Sequence, residues 1–160
     1  MLLFKVLLIL IFFIIIFQDI EERKVYWFLY PLIGILVFVI QINESNFLLA
    51  TINSLVNLLF ISIILLVCYF YAKLKLKKHF TKDVIGIGDI LFFIFISFSF
   101  ASISFVVLFV FSLLFSLLLH LFFKNKNIDK TVPLAGYMSL FFANIYIISF
   151  FCNINFFYAY

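Results

Sequence analysis

Seven acidic side chains occur in this chain of 160 residues, and two of them stand where a charge is expensive. Asp19 ends the apolar run that starts at Met1, with Gln18 its one polar neighbour on that side. Asp89 opens a second apolar run, inside Gly86-Ile87-Gly88-Asp89. A carboxylate at the edge of a low-dielectric region is costly unless something uses it. Two such groups brought close cannot both ionise easily. One keeps a proton while the other is charged, and the pair can then activate water and protonate a leaving group. A pair of this kind titrates as a unit, so neither residue receives a separate role. Each aspartate also has a plainer reading. Asp89 after its glycines can cap a helix, and Asp19 can be an ordinary charge at a helix end.

The other chemistry-bearing residues form no second constellation. Glu44, Asp83 and Asp129 read as solvated loop charges, as do Glu21 and Glu22 beside Arg23 and Lys24. Gly86 and Gly88 allow positive φ and close approach of another backbone, both useful where a substrate strand lies beside a catalytic Asp. Tight helix packing is the alternative for these glycines. Cys68 and Cys152 lie singly in apolar stretches and read as small buried hydrophobes, neither a disulfide framework nor a zinc site. His79 falls in a basic loop, and His120 falls near a helix end. No metal site and no cofactor are expected.

Positioning these residues falls to a membrane-embedded chain. Hydrophobic residues make up 68% and charged residues 11%, against about a quarter charged in a soluble domain. The net charge is +4, but ten of the eleven basic residues fall in three segments. These are Arg23 and Lys24; Lys73, Lys75, Lys77, Lys78 and Lys82; and Lys124, Lys126 and Lys130. Lys and Arg concentrate in cytoplasmic loops, so the three segments mark one face. Nucleic-acid binding is not expected, because no long basic stretch interleaves exposed aromatics.

A span needs about 20 apolar residues. The first runs from Met1 to Gln18, and Asp19 directly after it argues against a cleaved signal peptide. Trp27–Ile42 and Leu48–Ala72 follow, separated by a polar turn at Asn43–Asn46. The stretch from Ile90 to Phe123 is about 50 Å long as one helix, too long for a core of about 30 Å. Ser97, Ser99, Ser102 and Ser104 crowd its first half, so it splits near Ala101. Val132 to Phe151 completes the set. The reading is an all-α, polytopic, single domain over residues 1–160, with six transmembrane helices and both termini extracytoplasmic. In that topology Asp19 leaves the membrane, and Asp89 enters it, at the same cytoplasmic depth. They meet if the first and fourth helices pack together.

Three segments resemble the signatures of one family. Asp19-Ile20-Glu21-Glu22-Arg23-Lys24-Val25 is similar to the first signature of type IV prepilin peptidases and archaeal preflagellin peptidases. In that signature an Asp ends the first helix, followed four residues on by Arg and then an aliphatic. Gly86-Ile87-Gly88-Asp89 resembles their second signature, the Gly-x-Gly-Asp of intramembrane aspartyl proteases. Val132-Pro133-Leu134-Ala135-Gly136-Tyr137 resembles the segment opening the last core helix. The resemblance spans nearly the whole chain in the family's order. It implies an aspartic endopeptidase in the cytoplasmic (inner) membrane that removes the basic leader of prepilin-like or preflagellin-like proteins. Asp19 and Asp89 would be its catalytic pair. Larger relatives carry a zinc-binding cytoplasmic segment and also methylate the new N-terminus; nothing here resembles that segment, so no N-methyltransferase activity is expected. Two positions depart from the pattern. Tyr26 stands where the family usually has Pro, and Leu91 where it usually has Lys, which leaves Asp89 without a nearby positive charge.

Two other classes compete with the enzyme. An inactive relative would bind pilin-like proteins without cutting them, and Leu91 is its best support. An ion- or proton-coupled transporter would use the same aspartates, but predicts more polar residues in mid-span than Ser, Asn53 and Asn57 provide.

Overall fold

The computed structural model describes residues 1–77, 85–123, 132–151 and 156–159. These form helices, with no strand among them. In chain order they are α1 (Leu2–Glu21), α2 (Leu29–Glu44), α3 (Phe47–Tyr71), α4 (Ile87–Ile96), α5 (Ser102–Phe123), α6 (Leu134–Ile148) and the single turn α7 (Phe156–Ala159). A π-helical turn, Ala72–Leu76, prolongs α3. Lys78, His79, Lys82, Asp83, Lys124, Lys126, Asp129, Lys130 and Cys152 lie outside the described residues.

Leu2–Glu21, Phe47–Lys75 and Ser102–Phe123 are long and apolar enough to cross a membrane. At about 1.5 Å per residue, α1 is about 30 Å long, the thickness of a hydrocarbon core. Leu29–Glu44, Ile87–Ile96 and Leu134–Ile148 are apolar but shorter. The ten residues of α4 reach only about 15 Å. Outward faces are as apolar as the interior. Leu10, Phe17, Leu55, Leu59, Leu117 and Leu121 are all exposed, a surface that suits lipid and not water.

The expected break near Ala101 is present, because α4 stops at Ile96 and α5 starts at Ser102. Serine chemistry ends the helix: Ser97 Oγ donates back to Ile94 O (2.6 Å), and the Ser99 amide donates to Ile96 O (3.1 Å). Ser97, Ser99, Phe100 and Ala101 are buried, so the turn's carbonyls need partners from the protein. Buried Asn57 of α3 supplies them, its Nδ2 donating to Ser97 O (3.0 Å) and Phe100 O (2.9 Å). Ser102 Oγ donates to Asn53 Oδ1 at 3.0 Å. The mid-span asparagines are the clasp of this turn.

Aromatic rings fill the interior. Phe12 of α1 sits 6.4 Å from Phe92 of α4, 6.5 Å from Phe142 and 6.2 Å from Tyr146 of α6, between ring centroids. Phe100 extends the cluster to Tyr146 (5.7 Å) and Tyr158 (5.4 Å). α1 lies mainly along α6, while α2 packs on α4.

Two residues differ from their sequence reading. Glu44 is not a solvated loop charge: it pairs with Lys5 at 3.4 Å, and both side chains are largely covered. Apolar surroundings make a lone charge costly, so the start of α1 and the end of α2 share theirs. Cys68 is half-buried on α3 and is not a core residue. His120 lies in the last turn of α5, as expected for a helix-terminal group.

Candidate active site

The site begins where α1 stops. The Glu22 amide donates to Gln18 O (3.0 Å), and Arg23 then takes a left-handed conformation, φ 56°. That conformation costs a non-glycine residue about 1 kcal/mol, and it turns the chain sharply off the helix axis. Gln18 Oε1 accepts a hydrogen bond from the Tyr26 amide (3.1 Å) and folds the connection to α2 back over the helix end. Asp19 is held half-buried beneath it.

Asp89 is the third residue of α4, behind the N-cap Gly86. It is not itself the N-cap, but its carboxylate reaches back to accept from the backbone of Gly86, so the capping reading holds in part. A β-carbon on Gly86 would lie 3.2 Å from Asp89 Oδ2, so the side chain folds back over its own helix start. Its other oxygen serves a different helix.

That helix is α6, whose N-cap is Pro133 and has no side-chain acceptor to offer. The amides of the first turn must therefore borrow acceptors from elsewhere. Leu134 N–H finds Val132 O (2.9 Å), and Tyr137 N–H makes the first helical bond, to Pro133 O (3.1 Å). Between them, Ala135 N–H donates to Asp89 Oδ1 (2.9 Å) and Gly136 N–H donates to Asp19 Oδ2 (2.6 Å). These are the second and third positions of the helix, which a cap residue normally satisfies. Both carboxylates thus cap one helix in trans, on successive residues, at the positive end of its dipole. Successive residues are about 3.8 Å apart, so the two bonded oxygens lie within about 9 Å of each other at most.

This arrangement corrects the expected route of approach. α1 and α4 touch at Phe12 and Phe92, but the aspartates are joined through α6. The pair are close enough to interact electrostatically, and Arg23 acts on both. Arg23 is not within ion-pair distance of Asp89, and its positive charge is the smallest of the influences on that carboxylate. Leu91, in the position read as lacking that charge, packs partly buried against the core.

No family model, no curated protein and no solved structure matches this chain.

The glycines follow the packing alternative of the sequence reading and not the positive-φ one. None of those described has positive φ; Gly86 is extended at φ −66°, ψ 148°. What Gly88 provides is room. A β-carbon there would sit 2.6 Å from the Tyr30 hydroxyl. Gly136 provides room of the same kind, since its β-carbon would lie 3.1 Å from both Cβ and Oδ2 of Asp19. Glu21 and Glu22 are exposed beside the site and contribute nothing to its framework. Among the described residues no group of His, Cys, Asp and Glu is arranged to hold a metal ion.

Three residues of this site escaped the sequence reading as participants: Tyr30, Ala135 and Gly136. Backbone amides leave no side-chain signature. The available clue was Pro133, which starts a helix without a capping side chain. Tyr30 carried no distinguishing signal, being one of eight tyrosines and placed near an expected interface.

Proposed function

We propose that the protein is a membrane-embedded aspartic endopeptidase of the prepilin and preflagellin peptidase type. Asp19 and Asp89 are its catalytic pair, and its substrates are prepilin-like or preflagellin-like precursors cut behind a short basic leader. In this reading six spans cross the cytoplasmic (inner) membrane, both termini are extracytoplasmic, and the pair faces the cytoplasmic side. No cofactor takes part, and the released N-terminus is not methylated. The observation that carries the reading is the bonding of two sequence-distant carboxylates to successive amides of one helix.

In the hydrolytic step one aspartate is ionised and the other protonated. Water oxygen bonds to the scissile carbonyl carbon, and its proton passes to the ionised carboxylate. The carbonyl π pair moves onto oxygen, which takes the proton of the neutral acid to give a gem-diol. Collapse of the gem-diol breaks the C–N bond. The amine leaves with a proton from the first carboxyl group, and one gem-diol proton returns to the second aspartate. One water is consumed and the dyad is restored. Gly86 is exposed beside Asp89 and leaves space for an extended substrate backbone. Glu21 and Glu22 offer negative charge to the leader's basic residues.

One observation favours a second reading. The carboxylates satisfy helix amides that would otherwise be unpaired, which is all that an inactive relative binding pilin-like proteins needs of them. Incubating the purified protein with leader-bearing precursors from the same genome, and sequencing the new N-termini, separates the two. Cleavage by the wild-type chain and its loss in both Asp19→Asn and Asp89→Asn is the expected result. Full cleavage by either variant overturns the assignment.

A further inference from the structure

Tyr30 is a covered phenol that packs against Gly88, the neighbour of Asp89. It sits in the first turn of α2, just before Pro31, and is 1% exposed. Its hydroxyl points at the start of α4, 2.6 Å from the place a β-carbon would occupy on Gly88, the residue preceding Asp89. The phenol is close enough to feel the charge of Asp19 and of Asp89. A phenol O–H in such a place seeks an acceptor, and a substrate bound beside Asp89 would bring one. Packing alone does not account for the arrangement. A phenylalanine would fill the same space, and no glycine would then be required at position 88, since the next ring atom lies 3.6 Å away, an ordinary contact.

Resting on the peptidase reading, we infer that Tyr30 is a third catalytic residue, donating a hydrogen bond from its hydroxyl to the substrate's carbonyl oxygen. The proton stays on tyrosine throughout. When water adds to the carbonyl carbon, negative charge grows on that oxygen before the neutral aspartate delivers its proton. A fixed donor in a poorly solvated site stabilises this charge more than it stabilises the resting amide, so it acts on kcat and little on KM. The inference also assigns Gly88 its purpose, which is to let the phenol reach the reacting atoms.

The test is a kinetic comparison of wild-type and Tyr30→Phe protein in the same detergent, on a leader-bearing precursor that wild-type cleaves. Loss of one such donor is expected to lower kcat by about 100-fold with KM within about twofold. Binding of a peptide carrying a hydroxyethylene group in place of the scissile amide should weaken in Tyr30→Phe, while substrate KM stays put. Equal kcat in the two proteins overturns the role of Tyr30 and leaves the peptidase reading standing. Absence of cleavage by wild-type overturns both together. Should the Phe variant fail to fold, 3-fluorotyrosine at position 30 keeps the ring and hydroxyl. A change in kcat then supports the donor role, and an unchanged kcat removes it.

Discussion

Substituting Gly88 by Ala gives the sharpest test of the geometry around Asp89, and it needs no substrate. The added methyl carbon would meet the Tyr30 hydroxyl at 2.6 Å, well inside the contact distance of about 3.5 Å for non-bonded atoms. The ring is buried, so any shift must displace its neighbours. Overpacking of this kind costs about 1–3 kcal/mol. Alanine gains back about 1 kcal/mol in a helix relative to glycine, so Gly88→Ala alone should destabilise by about 0–2 kcal/mol. Tyr30→Phe removes the obstructing atom and leaves Cζ at 3.6 Å. The double variant should then recover the lost stability and keep the helix gain. The predicted signature is a favourable coupling of about 1–3 kcal/mol between the substitutions. Reversible unfolding of the four proteins in one detergent measures it. Additivity within about 0.5 kcal/mol would refute the placement of Tyr30 against Gly88, and the inference built on it.

Four further outcomes follow from the same framework. Asn keeps an oxygen for the α6 amides while Ala does not. Asp19→Asn should therefore fold nearly as well as wild-type without cleaving, whereas Asp19→Ala should also lose about 1 kcal/mol on unfolding; equal stability of the two would argue against the cap. Asn57→Leu strands the Ser97 and Phe100 carbonyls, and should destabilise by about 2–4 kcal/mol; a thermal scan showing less than about 0.5 kcal/mol would mean those carbonyls have other partners. Arg23→Gly relieves the left-handed backbone and removes a positive charge acting weakly on both aspartates, so the expected result is a slightly higher melting temperature with slower cleavage. Arg23→Lys should restore the rate, and failure to restore it would tie Arg23 to something besides charge. Reversing Glu21 and Glu22 to Lys should raise KM for a basic leader several-fold and leave kcat alone; an unchanged KM would return both residues to the solvated surface.

Much of the framework was legible because it depends on side-chain chemistry. The serine cluster gave away the break near Ala101, and the apolar runs gave away the helices around it. Asp19 and Asp89 stood out because a carboxylate against an apolar run is hard to explain otherwise. The parts that stayed hidden depend on the backbone or on partners far along the chain. Amides of Ala135 and Gly136 look like those of any other residue, so the meeting place of the aspartates had no pattern to betray it. Lys5 and Glu44 each read as an isolated charge until α1 and α2 lay antiparallel. The left-handed turn at Arg23 had no glycine to announce it. Positive φ was one expectation for Gly86 and Gly88, whereas the fold asks for clearance, most of all at the second.

Hanging both acids on a single helix end separates their mutual spacing from their absolute position. When lipids of different thickness tilt the bundle, the acids ride along as one body, held by neighbouring rungs of the same ladder. The gap between them is then a property of the polypeptide and not of the lipid around it. Loosening the first turn of α6, by contrast, would release both at once, so a perturbation there should act as an off-switch and not as a gradual dimmer.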